Sequence, residues 1–103
     1  MGPMLRVIYR WKVDPDRFEE FREAWEAMTE AIRAQRLGAR GSMLLRDPDR
    51  PDEVMAIATW ESRAHWEEAG KQPSCHPEAG QRMKAASQFL SGTPYEVVAD
   101  LTV

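Results

Sequence analysis

The chain has 103 residues, which is enough for one compact domain spanning residues 1–103. Hydrophobic residues make up 43% of it and charged residues 30%, so the composition excludes a disordered or collagen-like chain. The formal net charge is −3 with no basic block, which argues against nucleic acid or an anionic membrane as partner. The single cysteine and the lack of a long apolar run or signal-like segment predict a cytoplasmic protein.

The first half of the chain predicts a strand followed by a long helix. Apolar and polar residues alternate from Leu5 to Val13, which is typical of a strand with one buried face. Asp14 is placed to cap a helix whose first position is Pro15, and Gly38 is placed to end it. One apolar stripe runs down this helix at steps of three and four residues: Phe18, Phe21, Trp25, Met28 and Ile32.

The second half predicts three further strands and a helix in two pieces. Residues 41–47 and 54–60 are predicted strands joined by a Pro- and Asp-rich turn. Ser62 is expected to cap a short helix that ends at Gly70. Helical spacing of Ala79, Met83, Ala86 and Leu90 predicts a helix closed by Gly92, and residues 95–103 alternate as a last strand.

The element order β-α-β-β-α-β predicts the α+β class, a ferredoxin-like sandwich with a four-stranded antiparallel sheet. Its helices can cover only one face of the sheet. Residues 54–58 and 43–45 are apolar on both faces, and Ile8 and Val98 add to the uncovered one. Because an open apolar face is costly in water, we expect a homodimer that closes sheet to sheet.

No motif of high specificity is present: there is no phosphate loop, nucleophile elbow or HExxH. Cys75 and His76 are adjacent in an extended loop, where neighbouring side chains point apart, and no third group orients them as a nucleophilic pair. A metal site from His65, Cys75 and His76 lacks a fourth ligand and suitable spacing. We therefore predict neither a catalytic cysteine nor a bound metal.

The four tryptophans are the unusual feature of the composition. Trp25 belongs to the helical stripe and is interpreted as core, and Trp11 as core or dimer interface. A buried Trp needs a partner for its N–H, which the wall of a cleft can supply. The sequence therefore predicts a small-molecule pocket between sheet and helices, with packing as the alternative role of its four lining residues: Tyr9, Trp60, His65 and Trp66.

Two stretches, Gly38 to Asp47 (GARGSMLLRD) and Trp60 to Trp66 (WESRAHW), resemble the antibiotic biosynthesis monooxygenase family, whose members are small dimeric α/β barrels. Gly38 to Asp47 (GARGSMLLRD) is similar to the family's pattern of two spaced glycines, an apolar pair and Arg-Asp. Trp60-Glu-Ser62, followed by Ala64-His65-Trp66, resembles the family's step from strand end into a short helix. The resemblance extends from about Leu5 to the last strand.

The resemblance implies cofactor-free oxygenation of a phenolic, quinol or anthrone-type substrate, in which the protein supplies an apolar pocket, a base and donors. His65 is then the expected base, because imidazole titrates near neutrality. Tyr9 and Arg82 are the expected donors, and Trp60, Trp66 and His76 the substrate-binding residues. No cofactor is implied.

Departures from the family pattern keep other functions open. A histidine that many members carry in the short helix is Ala69 here, and His76 matches the family's loop histidine only after a shift. The haem-degrading branch uses an Asn where this chain has Tyr9 and an axial His near Ala79, so haem oxygenation is not expected. The alternatives are an isomerase or cyclase on the same barrel, and a non-catalytic protein that binds a small molecule.

Overall fold

The computed structural model describes residues 4–102. Four strands form one antiparallel sheet in the order β2-β3-β1-β4, with three helices over one face, as the predicted ferredoxin-like topology requires. The elements in chain order are β1 (Leu5–Val13), α1 (Phe18–Gln35), β2 (Ala39–Arg46), β3 (Glu53–Trp60), α2 (Arg63–Gly70), α3 (Pro77–Ala86) and β4 (Ser87–Glu96). No helix within residues 4–102 is long and apolar enough to cross a membrane.

The core lies between the helices and the covered face of β1 and β3. In β1 the predicted alternation is confirmed: Leu5, Val7 and Val13 are at most 1% exposed. In β3 the buried positions are occupied by Val54 and by small residues such as Ala58. The two strands pair antiparallel along eight residues of each, so their buried side chains form one continuous apolar layer.

The start of α1 follows from local capping chemistry. The Asp14 carboxylate accepts the backbone N–H of Asp16, as expected of the predicted cap. Pro15–Arg17 forms a 3-10 turn before the regular helix begins at Phe18. The stripe then packs Phe21 against the sheet with none of its surface exposed. Helix α1 is thereby fixed over the centre of the covered face.

An irregularity near the start of β2 sets which of its side chains face the helices. Ala39 pairs with Trp60 and Ser42 with Ala58, so three steps along β2 match two along β3. The extra residue is a β-bulge, and it includes Gly41 with φ of 93°. Ser42 therefore faces α1.

The predicted boundary between the last helix and last strand is wrong. Helix α3 ends at Ala86, not at Gly92, and β4 occupies Ser87–Glu96, so residues 97–102 lie outside the strands. The helical spacing that continues to Leu90 is overridden because β1 offers a free edge, along which β4 pairs from Val13 to Leu5. The register skips Leu90, where β4 is irregular.

The other face of the sheet is open, as predicted. Met43 is 60% exposed and Leu90 52%, and Ile57 lies between the strands at half-buried depth. Val98 does not extend this face as a strand residue, because it follows β4 and is 93% exposed. The protein thus presents a large apolar surface that its own helices do not cover.

Candidate functional site

Two adjoining cavities lie between α1 and the covered face of the sheet. The first, of about 220 Å³, is bounded by α1, the middle of the sheet and Phe89 of β4. The second, of about 190 Å³, is bounded by α1, α2 and the loop of residues 72–75. Both walls include Tyr9, Met28, Ile32 and Trp60. Since an apolar cavity of roughly 150 Å³ holds benzene, each is large enough for an aromatic ring.

Tyr9 stands where the two cavities meet. Its hydroxyl oxygen accepts a hydrogen bond from Trp66 Nε1 at 3.0 Å, which ties α2 to β1. Burial raises the pKa of Tyr9 above its ordinary value, and the hydrogen bond from Trp66 lowers it by less. The phenol is therefore neutral near pH 7, with a proton that a bound ligand can accept.

The walls of the first cavity are mostly apolar. Trp60 is 6% exposed and forms part of the base of both cavities. Trp25 is only partly buried; it packs against the core and also lines the first cavity, so its interpretation as core alone was incomplete. Trp11 is a core residue, 8% exposed, with its ring against Phe21.

One end of the first cavity is polar, and it involves residues that the sequence analysis did not select. Arg33 is the one charged side chain among the described residues that line this cavity. Its Cδ lies 3.8 Å from the point where a Cβ on Gly41 would stand, so its stem crosses the bulge in β2. Ser42 lies beside it in the wall, and its buried Oγ has no hydrogen-bond partner within residues 4–102.

The loop that closes the second cavity is held by Arg36. Its guanidinium donates to the side-chain oxygen of Gln72 and to the carbonyl oxygen of Pro73, each at 2.6 Å. Cys75 contributes to the same wall. The N–H donors of Arg36 are therefore directed at the loop, which they hold in place.

His65 lies outside both cavity linings. Its Nδ1 is 2.7 Å from Ser62 Oγ, and that oxygen also accepts the backbone N–H of His65 as the helix cap. The imidazole packs on Gly38, where an added Cβ would lie 2.5 Å from its Cγ. The structure therefore brings together Tyr9, Trp60 and Trp66 of the predicted pocket, but not His65.

Arg82 and His76 also stand apart from the cavities. Arg82, on α3, lies 3.5 Å from a carboxylate oxygen of Glu23 on α1. His76 caps α3, its Nδ1 accepting the backbone N–H of Ala79 at 3.1 Å. No group of three or more potential metal-ligating side chains is found in the part of the chain that the structure describes.

A pattern in α1 could have identified the polar end of the cavity. Trp25, Thr29 and Arg33 follow at intervals of four, which places them in one line along the helix, and all three face the first cavity. Ser42 offered no such signal. Its orientation depends on the bulge, which is a property of strand pairing rather than of the local sequence.

Comparison with known proteins identifies the family. The profile of the antibiotic biosynthesis monooxygenase family matches residues 4–76, and the chain belongs to that family. No curated protein matches the chain. The matched region includes the helix α1, the bulge in β2 and the whole of α2, so it contains most of the cavity wall.

Solved structures share the fold at low sequence identity. SnoaB from Streptomyces nogalater, a cofactor-independent oxygenase, is 23% identical, with 99% of this chain and 100% of that chain covered and a TM-score of 0.78. A Bordetella bronchiseptica protein assigned to the antibiotic biosynthesis monooxygenases is 17% identical, covering 95% and 100%, with a TM-score of 0.79. A conserved protein from Methanosarcina mazei is 12% identical, covering 91% and 92%, with a TM-score of 0.74. At these identities the likeness establishes the fold.

Proposed function

We propose that this chain is a cofactor-independent monooxygenase for a small phenolic, quinol or anthrone-type aromatic substrate. The observation that carries the proposal is the aromatic cavity in which the neutral phenol of Tyr9 is fixed by Trp66. Membership of the monooxygenase family supports it, as does the likeness to SnoaB, which is named a cofactor-independent oxygenase.

In this chemistry the substrate supplies the electrons. An anthrone-type carbon loses a proton, and the resulting carbanion reduces O₂ and forms a C–O bond to give a hydroperoxide. The hydroperoxide then loses its remaining C–H proton as the O–O bond breaks. The carbon becomes a carbonyl that keeps one oxygen atom, and the other oxygen leaves as water.

The cavity offers what the steps that follow the first proton loss require of the protein. Apolar walls exclude water from the carbanion and the peroxide, which strengthens every hydrogen bond made inside. Tyr9 is placed to donate its proton to the developing peroxide or oxyanion. Trp60 and Trp66 hold the flat ring system in place.

The predicted roles of the two histidines and of Arg82 remain predictions. Because His65 packs between Ser62 and Gly38, its replacement would also shift α2 and with it Trp66. A base role and a positioning role give different pH profiles. Loss of a base changes how the rate depends on pH, whereas a displaced Trp66 lowers the rate at every pH.

An isomerase or cyclase would need an acid–base pair beside the substrate. Within residues 4–102, the linings of the two cavities contain no Asp, Glu or His. This composition favours chemistry that the substrate itself drives. It is equally compatible with a protein that binds an aromatic molecule without converting it, and turnover distinguishes the two.

The test is oxygen uptake by purified protein with hydroquinones and anthrones, in the presence of a chelator and without flavin. We expect saturable uptake that falls roughly 100-fold in Tyr9→Phe, the size typical of losing one oxyanion donor. Tyr95→Phe is the matched control, since it removes the same hydroxyl from a residue that lines neither cavity. Uptake no faster than the uncatalysed rate with every substrate would contradict the proposal.

We propose further that two copies pair through the open face of the sheet. The support is the set of large apolar side chains that the helices leave exposed there: Met43, Leu45, Leu90 and Tyr95. These four side chains line neither cavity, so pairing through them would leave the aromatic site within each protomer.

A further inference from the structure

The charges around the two cavities are of one sign. Arg33 faces the first cavity and Arg36 the second, and the described lining residues include no carboxylate that would neutralise them. The whole chain carries a formal net charge of −3, so a lining whose only charged residues are cationic differs from the rest of the molecule. The cavity is therefore electrostatically suited to an anion.

Of the two cavity arginines, Arg33 is the one whose hydrogen-bond donors have no partner among residues 4–102. Arg36 directs its donors at Gln72 and Pro73. Arg33 takes part in none of the ion pairs found among residues 4–102. Its Cδ lies beside Gly41, and the side chain, which is exposed, lines the first cavity.

Ser42 adds an independent observation at the same end. A buried hydroxyl without a partner costs on the order of 1–3 kcal/mol, so such groups usually mark a place where something binds. The bulge in β2 turns Ser42 toward α1, next to the residue over which Arg33 lies. An oxygen atom of a ligand would give this hydroxyl the partner that the described residues do not supply.

We infer that the first cavity selects aromatic molecules that carry an ionised oxygen, with Arg33 as counter-ion and Ser42 as hydrogen-bond donor to that oxygen. The inference rests on the proposed function and sharpens it: the substrate binds as the anion, phenolate or enolate, rather than as the neutral acid. Arg33 is then the residue that determines this specificity. It also explains how a cavity without an acid–base pair can serve a substrate that must be deprotonated.

The test measures binding alone, so it does not depend on turnover. Calorimetric titration compares 2-hydroxy-1,4-naphthoquinone, an anion at neutral pH, with its neutral methyl ether, 2-methoxy-1,4-naphthoquinone. We expect the wild-type protein to bind the anion about tenfold more tightly, the scale of one charge-assisted contact at a cavity mouth. The preference should shrink as salt is raised.

Variants identify the residues responsible. Arg33→Gln should abolish the preference by weakening the anion about tenfold more than the ether, and Ser42→Ala should reduce the preference by a smaller factor. Arg50→Gln is the matched control: it removes the same charge from the turn before β3, where Arg50 pairs with Glu53 outside both linings.

Each adverse result has a distinct meaning. Equal affinity for the two quinones in the wild-type protein would overturn the inference and leave the proposed function standing. A preference that survives in Arg33→Gln would overturn the role of Arg33. Failure of both quinones to bind would overturn the inference and also the aromatic site on which the proposed function depends.

Discussion

The two faces of the sheet differ, although the same strands supply both. On the covered face β3 presents small residues such as Ala56 and Ala58, and on the open face it presents Met55 and Ile57. The small residues leave room under α1, and Ala58 lines the first cavity. One face thus leaves cavities beneath the helices, whereas the other carries exposed apolar surface.

The covered face should tolerate truncation far less than the exposed aromatic residues do. Phe21→Ala removes a side chain with none of its surface exposed and leaves a cavity, so we expect a loss of about 3–5 kcal/mol in the free energy of unfolding. Urea denaturation measures it. Phe89→Ala is the control, because Phe89 is 59% exposed and should lose less than about 1 kcal/mol. Equal losses would mean that burial under α1 does not distinguish Phe21 from an exposed ring on the same side of the sheet.

The open face is tested by a charge placed on it. Met43→Lys should weaken self-association by on the order of 100-fold if the face is buried between copies, because a buried unpaired charge costs several kcal/mol. Sedimentation velocity over a range of concentrations measures it. Leu37→Lys is the control, since Leu37 is 80% exposed at the end of α1, away from the sheet face. An unchanged assembly in Met43→Lys would contradict pairing through this face.

Alanine substitutions at two glycines beside the covered face distinguish the cost of backbone strain from the cost of a steric contact. Gly38 and Gly41 have φ of 84° and 93°, so alanine is strained at either position. Only at Gly38 would the new Cβ meet a side chain closely, the imidazole of His65 at 2.5 Å. We expect Gly38→Ala to cost about 1–2 kcal/mol more than Gly41→Ala in thermal or urea unfolding. Equal costs would show that the His65 contact adds nothing.

The smallest expected effect concerns the Tyr9 phenol. Because the pKa of Tyr9 is raised, the folded state favours the neutral phenol. The resulting contribution to the free energy of unfolding is complete below the ordinary tyrosine pKa of about 10 and is lost as the pH rises beyond it. The free energy of unfolding should fall more steeply above pH 10 in the wild-type protein than in Tyr9→Phe. Near pH 7 the variant should lose about 1 kcal/mol, because Trp66 Nε1 loses its acceptor. If the unfolding free energies of the two proteins ran parallel above pH 10, the raised pKa of Tyr9 would be contradicted.

Much of the fold follows from local signals in the sequence. The bounds of β1 and the cap of α2 at Ser62 are as predicted, because alternation and capping act over a few residues. The end of α3 differs from the prediction, because the spacing of Ala86 and Leu90 is also compatible with a helix. Pairing of β4 with β1 decides it, and that pairing joins segments more than seventy residues apart.

The candidate site was also predictable from the sequence only in part. Of the four residues predicted to line a pocket, the structure brings together Tyr9, Trp60 and Trp66, but not His65. Arg33 had a partial signal in its spacing from Trp25 and Thr29 along α1. Ser42 had none, because its orientation depends on the bulge in β2, a property of strand pairing.

The bulge in β2 also determines which genetic changes this protein can accept. Between its pairings with Trp60 and Ala58, β2 places two residues, Arg40 and Gly41, opposite the single residue Thr59. Losing one codon there would remove the bulge and leave Ser42 paired with Ala58, so Met43 and Leu44 would keep their faces. Losing one codon after Ser42 would instead exchange the residues that follow between the two faces, although no chemically important residue had been removed. Beyond the bulge, the number of residues in this strand therefore matters more to the fold than the identity of its exposed residues.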